Sequence, residues 1–248
     1  MNAQLLERTV GELVAEKPYR SRVFEKVGID YCCKGNMALN QACAQAGVAP
    51  DAILEAIAQL DTAHAGEVRN EPWRDSVEAM VTHIVDTHHA YLKENLPRLA
   101  FLTEKVARVH GGDDARLIQL AEAFLQFKAE TDEHLAKEEM MLFPFCRMLG
   151  RGERPPFPPT VGMPIRKMMS EHEDHGRNLD LFRNLTDGYV PPSHACNTYR
   201  AMLDGLQEME QDLHTHIHLE NSVLFPWAMK LEEELGGVPA GAEKLSCH

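Results

Sequence analysis

Two stretches of this chain repeat one pattern. HLAKEEMMLFP begins at His134 and HIHLENSVLFP begins at His216. Both read His-x-x-x-Glu-x-x-x-Leu-Phe-Pro, with Glu138 and Glu220 as the carboxylates. On a helix, residues four apart sit one above the other, so each stretch presents an imidazole beside a carboxylate. That pairing grips a metal from a helical face. Each stretch is expected to stop at Phe-Pro, because proline disfavours helical geometry in the residue before it. Two matches to one template point to an internal duplication.

Two further histidines complete the pattern. His89 precedes His134 by 45 residues, and His172 precedes His216 by 44. The repeat unit is therefore a helical hairpin: one histidine on its first helix, His-x-x-x-Glu on its second. Two such hairpins about a pseudo-two-fold axis bring four imidazoles and two carboxylates together. That inventory suits two metals, each held by two histidines, with Glu138 and Glu220 as bridges. Two divalent ions outweigh the two glutamates in charge, which invites an oxide, hydroxide or other anion between them. Nitrogen and carboxylate ligands suit iron, manganese or zinc, and spacing does not choose among them. A single such histidine is most simply a core residue hydrogen-bonded to a glutamate; four at duplicated spacing favour metal.

Helices must position these residues. Apolar stripes at helical spacing run through Val81, Val85, His89, Leu92, Leu96 and Leu99, and through Leu120, Phe124, Phe127, Thr131, His134, Glu138 and Leu142. A third holds Ile165, Met168, His172, Leu179 and Phe182; a fourth holds Met202, Leu206, Met209, Leu213, His216 and Glu220. Four stripes bury one another in a four-helix bundle. No segment alternates with period two for long enough to make a strand. Before the bundle, residues 1–60 form a small helical unit punctuated by Pro18, Gly28 and Gly47, with a helix starting at Pro50 and Asp51. Residues 61–75 lose periodicity and read as a linker, 76–235 as the bundle, and 236–248 as a tail. The expected fold is all-α, an antiparallel four-helix bundle with a small N-terminal helical domain.

Composition narrows the partners. The 248 residues carry a formal net charge of -13, which argues against nucleic acid and anionic membranes as partners. No apolar run approaches a membrane-spanning length. The N-terminus reads as a polar helix and not as a signal peptide. Six cysteines at irregular spacing do not make a secreted disulfide framework, so a cytoplasmic, reducing location is expected.

HHAYLKENLPRL, HLAKEEMMLFP, SEHEDHGR and HIHLENSVLFP together resemble the hemerythrin-like domain of the "repair of iron centres" di-iron proteins. DYCCKGN resembles the short N-terminal domain of that family. The resemblance spans nearly the whole chain. It implies two non-haem irons per chain, oxo- or hydroxo-bridged, on His89, His134, Glu138, His172, His216 and Glu220. It also implies a cytoplasmic protein that repairs iron–sulfur clusters damaged by nitric oxide or oxidative stress, by donating iron, removing nitric oxide, or both. Implied partners are damaged iron–sulfur proteins, nitric oxide or oxygen as small ligand, and an electron or thiol donor; a homodimer is left open. The alternatives are a nitric-oxide-binding or nitric-oxide-reducing di-iron enzyme, and an oxygen-binding sensor. The chain departs from oxygen-carrying hemerythrins, whose third helix has His-x-x-x-His. Here Gly176 stands four residues after His172, which leaves open positions on the iron.

Other residues carry weaker signals. His88 lies about 100° round the helix from His89 and is expected to be solvated or to support a ligand. His214 and His218 flank His216 on the opposite face and are expected to point outward. His175 follows His172 by about one turn and is a minor ligand candidate. Glu130, one turn before His134, and Glu171, next to His172, are candidates to orient a ligand histidine or relay protons. Cys32 and Cys33 form a vicinal pair on a turn; adjacent cysteines rarely share one metal comfortably, so thiol exchange or electron delivery is the expected chemistry. Separated by the linker, the pair is not expected to reach the metal site. Cys43, Cys146, Cys196 and Cys247 read as incidental thiols.

Overall fold

The computed structural model describes residues 2–65, 71–156 and 160–236. The fold is all-α; among the described residues the nearest approach to a strand is an isolated bridge between Thr9 and Ala38. Residues 66–70 of the expected linker, 157–159 of the proline-rich loop, and the tail from 237 with Cys247 lie outside the described residues.

The N-terminal unit holds α1 (Asn2–Glu7), α2 (Val10–Glu16), α3 (Ser21–Lys26), α4 (Leu39–Ala46) and α5 (Pro50–Ala63). Thr9 starts α2 with a capping box: its hydroxyl accepts from Glu12 N–H while the Glu12 carboxylate accepts from Thr9 N–H, satisfying two otherwise unpaired donors. Helix α5 runs past the expected boundary at residue 60. Its last turn is held by Asp61, which accepts from Lys17, Tyr19 and the buried Arg20.

The first bundle helix comprises α6 (Val77–Ile84), a π-turn (Val85–His89) and α7 (Ala90–His110). The second comprises α8 (Arg116–Lys137), a π-turn (Glu138–Leu142) and α9 (Phe143–Gly150). The third is α10 (Gly162–Leu185), unbroken. The fourth comprises α11 (Asn197–Leu219), a π-turn (Glu220–Leu224) and α12 (Phe225–Glu234).

The second and fourth helices therefore do not stop at Phe-Pro. In an α-helix, Pro144 and Pro226 would each leave a carbonyl unpaired and clash with it. Each π-turn removes that conflict by inserting a residue. Phe143 N–H reaches back five residues to the Glu138 carbonyl, and Phe225 N–H to that of Glu220. Each proline then falls in the first turn of the next helical segment, where no N–H is needed. The π-turn at Val85–His89 shifts the phase of the first stripe in the same way. Val85 is half-buried instead of buried, while Ile84, His88 and His89 face inward.

Every other residue of the four stripes is buried. Two apolar clusters sit above and below a polar layer. One is built on Met80, Ile84, Phe143, Ile165 and Phe225. The other runs from Leu92, Phe124 and Phe182 through Met202 and Leu206 into Leu13, Phe24 and Ile57 of the N-terminal unit. The N-terminal unit thus shares its core with the bundle.

Candidate metal centre

The polar layer holds His89, His134, Glu138, His172, His216 and Glu220, all at most 1% exposed. They form two sets of four, within each of which one ligand atom per residue lies within 4.8 Å of the others. The first set is His89, Glu138, His216 and Glu220; the second is His134, Glu138, His172 and Glu220. Both carboxylates belong to both sets. Glu138 places Oε2 3.4 Å from His89 Nε2 and Oε1 3.4 Å from His134 Nε2. Glu220 places Oε1 2.9 Å from His216 Nε2 and Oε2 3.1 Å from His172 Nε2. The histidines pair across the hairpins, not within them: His89 with His216 at 3.1 Å, His134 with His172 at 3.0 Å, Nε2 to Nε2.

The outer faces of the rings fix their orientation. His89 Nδ1 lies 2.8 Å from Glu139 Oε1, and His134 Nδ1 lies 2.9 Å from Glu171 Oε2. A carboxylate accepts, so Nδ1 donates and Nε2 is the nitrogen turned inward, its lone pair open to a metal once that nitrogen gives up its proton. His172 Nδ1 lies 2.9 Å from Asn221 Oδ1, an amide orientation supported by Asn221 Nδ2 donating to the Cys32 carbonyl at 3.2 Å. His216 Nδ1 has no hydrogen-bond partner among the described residues; its ring stacks parallel on His88 with centroids 5.5 Å apart. Each partner comes from the next helix round the bundle.

The electrostatics follow. Burial pushes His89 down, but Glu138 and Glu220 outweigh it and hold it at about 10. His172 is held at about 9 by Glu220 and Glu138, again against burial. Burial would raise Glu220, yet His216, His172 and His89 keep it well below the usual carboxylate range. His216 is pushed down by burial. The hydrogen bond from His134 is the largest of the influences that hold Glu171 well below the ordinary range.

Both oxygens of Glu138 and Oε2 of Glu220 lack a hydrogen-bond donor of good geometry. Buried carboxylate oxygens without donors are expensive. Eight lone pairs converging in two four-fold sets fit a pair of cations.

The flanking residues follow expectation only in part. His88 is buried, with Nδ1 2.8 Å from Asp212; it supports His216 and is not solvated. His218 is 3% exposed and His214 half-buried, both edge-on to Tyr31. The face of the fourth helix expected to meet solvent is covered by the N-terminal unit. His175 is buried edge-on to His134, 4.9 Å between centroids, but belongs to neither set. Glu130 is exposed and accepts from Gln126; the orienting contact to His134 is made by Glu171, because α8 turns Glu130 to the outer rim while α10 brings Glu171 against the ring.

Cys32 and Cys33 are free thiols with Sγ atoms 3.7 Å apart. They do reach the centre's surroundings. Cys33 Sγ donates to the carbonyl of His172 at 3.2 Å. Gly176 makes this possible: a Cβ there would stand 3.1 Å from that sulfur. Gly11 and Gly35 allow a second close contact, since a Cβ on Gly11 would lie 2.5 Å from Ser222 Oγ in the last π-turn. Of the remaining cysteines, Cys43 and Cys146 are buried and Cys196 is exposed beside His110.

Glu139 and Asn221 were not singled out from sequence. Their sequence signal is that each directly follows one of the shared glutamates at matching positions of the repeat.

A helical bundle that gathers four histidines and two shared glutamates at its centre fits a cation-binding protein of the HHE class. Residues 80–228 match the hemerythrin HHE cation binding domain, and residues 6–61 match ScdA_N, a domain of unknown function. The chain is 35% identical over 227 residues to iron-sulfur cluster repair protein YtfE of Pectobacterium carotovorum subsp. carotovorum, covering 91% of this chain and 98% of that relative. It is 33% identical over 219 residues to iron-sulfur cluster repair protein ScdA of Staphylococcus haemolyticus, covering 88% and 96%. A probable iron-sulfur cluster repair protein of Haemophilus influenzae is 33% identical over 221 residues, covering 89% and 96%. The chain belongs to this family, with its ScdA_N and hemerythrin HHE domains. No helix among the described residues is long and apolar enough to cross a membrane.

Proposed function

We propose that this is a non-haem di-iron protein that repairs iron–sulfur clusters damaged by nitric oxide or oxidative stress in the cytoplasm. His89 and His216 hold one iron, His134 and His172 the other, and Glu138 and Glu220 bridge them. The observation that carries this reading is the sharing of both buried carboxylates by two histidine pairs. Two divalent ions carry more charge than two glutamates return, a remainder that suits an oxide or hydroxide bridge.

Iron bound here supplies open coordination positions and one-electron redox chemistry. The chain's own residues set the conditions. Glu139, Glu171 and Asn221 hold three imidazoles in the ligating tautomer, a support that raises ligand basicity. The apolar clusters on either side keep bulk water away. Four protein ligands per iron are fewer than an oxygen carrier provides, which favours a labile or reactive iron over a reversible oxygen store. The names of the relatives support cluster repair as the task, and damaged iron–sulfur proteins as its targets.

Iron analysis of the purified full chain, with its absorption spectrum, tests the centre. About two irons per chain are expected. One tightly bound zinc, and no iron after anaerobic expression in iron-replete medium, would overturn it. Repair is tested by adding the iron-loaded protein to a nitrosylated cluster enzyme: activity should return, and no gain over the metal-free protein would remove repair as the function.

A further inference from the structure

The geometry points to a second metal-binding site in this chain: Asp30, Cys32 and Cys33 hold a thiophilic divalent cation at the junction between the N-terminal unit and α10. One ligand atom from each lies within 4.8 Å of the others. The two sulfurs are 3.7 Å apart, and Cys32 Sγ is 3.2 Å from Asp30 Oδ1. At a metal–sulfur distance of about 2.3 Å, tetrahedral geometry sets two thiolates about 3.8 Å apart. The vicinal pair therefore already has the spread of a shared metal edge, contrary to the sequence expectation for adjacent cysteines.

The loop is held in that shape from both sides. Asp30 Oδ1 accepts from the backbone N–H of Cys32 and of Cys33. Asn221 fixes the Cys32 carbonyl, and Gly176 leaves room for Cys33 Sγ. A cavity of about 450 Å³ opens beside the pair, lined by Asp30, Cys32, Cys33, Lys34, Gly176 and Arg177 among others. A cation with three protein ligands keeps one position free on that side for a small molecule or an incoming thiolate, as exchangeable sites do. Two sulfurs and one carboxylate oxygen select ferrous iron or zinc over magnesium or calcium. Binding replaces the S–H protons of both cysteines; the two protons pass to solvent water and no electron moves.

The use of such a site rests on the di-iron reading. Cys33 Sγ touches the backbone of His172, so a ferrous ion held here stands between the buried centre and the cavity, as a station for iron on its way to a client. The binding itself does not depend on that reading.

The test uses the full, iron-loaded chain with reduced thiols under anaerobic conditions, titrated with cobalt(II). About one cobalt per chain should bind beyond the iron, with thiolate-to-cobalt absorption in the near ultraviolet. Cys33→Ser should abolish that band and Asp30→Asn should weaken cobalt binding at least about ten-fold. Iron content and helical circular dichroism should stay at wild-type values in both. No thiolate band in the wild type, or an undiminished band in Cys33→Ser, would overturn the proposal. His216→Ala, which damages the buried centre, should keep the band while losing iron. A band lost together with the iron would mean that the thiol site does not exist apart from the buried centre and would also overturn it. A wild-type chain isolated without iron would fail the di-iron reading and still give the band.

Discussion

The two hairpins contribute the same candidate ligands but support them differently. In the first, His89 and His134 are each backed by a carboxylate, Glu139 and Glu171. In the second, His172 is backed by the neutral amide of Asn221, and His216 by no hydrogen bond, only by the stacked ring of His88. The positions correspond in the repeat: Glu139 and Asn221 follow the shared glutamates, and His88 and Glu171 precede the first-helix histidines. The repeat keeps the inward histidines and glutamates and differs in what backs them. The N-terminal unit docks on the second hairpin, through Cys33 on His172, Asn221 on Cys32 and Gly11 on Ser222. The neutral side of the centre is the covered side. Because the histidines pair across hairpins, each of the two four-residue sets contains one carboxylate-backed and one neutrally backed imidazole.

The largest test of this comparison is removal of a ligand both positions share. Glu220→Ala should lower iron from about two per chain to below one, read by metal analysis. Its melting temperature should fall by roughly 10 °C, since saturating metal stabilises by about 4 kcal/mol at a thousand-fold excess over the dissociation constant. An unchanged iron count would remove Glu220 as a bridge.

A smaller effect separates the ligand on the fourth helix from its neighbours. His216→Ala should lose at least one iron, whereas His214→Ala and His218→Ala should keep both. His218 is buried against Tyr31, so its loss should loosen the N-terminal unit instead, seen as faster labelling of Cys33. Iron lost as readily from His218→Ala would misplace the inward face.

The supports come next. Glu139→Ala should weaken iron binding by about ten-fold or more, the usual cost of an outer partner. Asn221→Ala should cost a few-fold at most, because a neutral amide adds less to ligand basicity. Competition with a chelator measures both, and equal losses would end the distinction between charged and neutral backing.

The smallest effect concerns pH in the metal-free protein. His89 is raised from 6.5 to about 10, so its contribution is full below 6.5 and is lost as pH climbs through about 10. Glu220 is lowered from 4.5, so its contribution is present above 4.5 and lost as pH falls through the depressed value. The joint contribution of His89 and Glu220 to the metal-free protein should be largest between about pH 4.5 and 6.5, read as the difference in melting temperature between wild type and His89→Ala across pH, while His175, His216 and His218, lowered by burial, favour the neutral side. A difference that rises from pH 7 to 10 would contradict the sign.

The sequence by itself determined the bundle and the gathering of four histidines and two glutamates on its inward faces, because a helix turns a spacing of four into one face and a repeated pattern fixes how many such faces there are. It also carried the N-terminal helices through turn and helix-start residues such as Pro18, Gly47 and Pro50. Three things were decided only in the tertiary structure. Helix continuation through Pro144 and Pro226 depended on π-turns, which insert a residue that periodicity does not count. The surroundings of His88, His214 and His218 depended on what packs against their helices, since an angle on a helical wheel says which way a ring points and not whether solvent is there. The contact of Cys33 with His172 joins residues 139 apart in the chain. Long-range docking of that kind depends on shape, here the room left by Gly176 and Gly11, and a glycine in a sequence does not say what fills the space beside it.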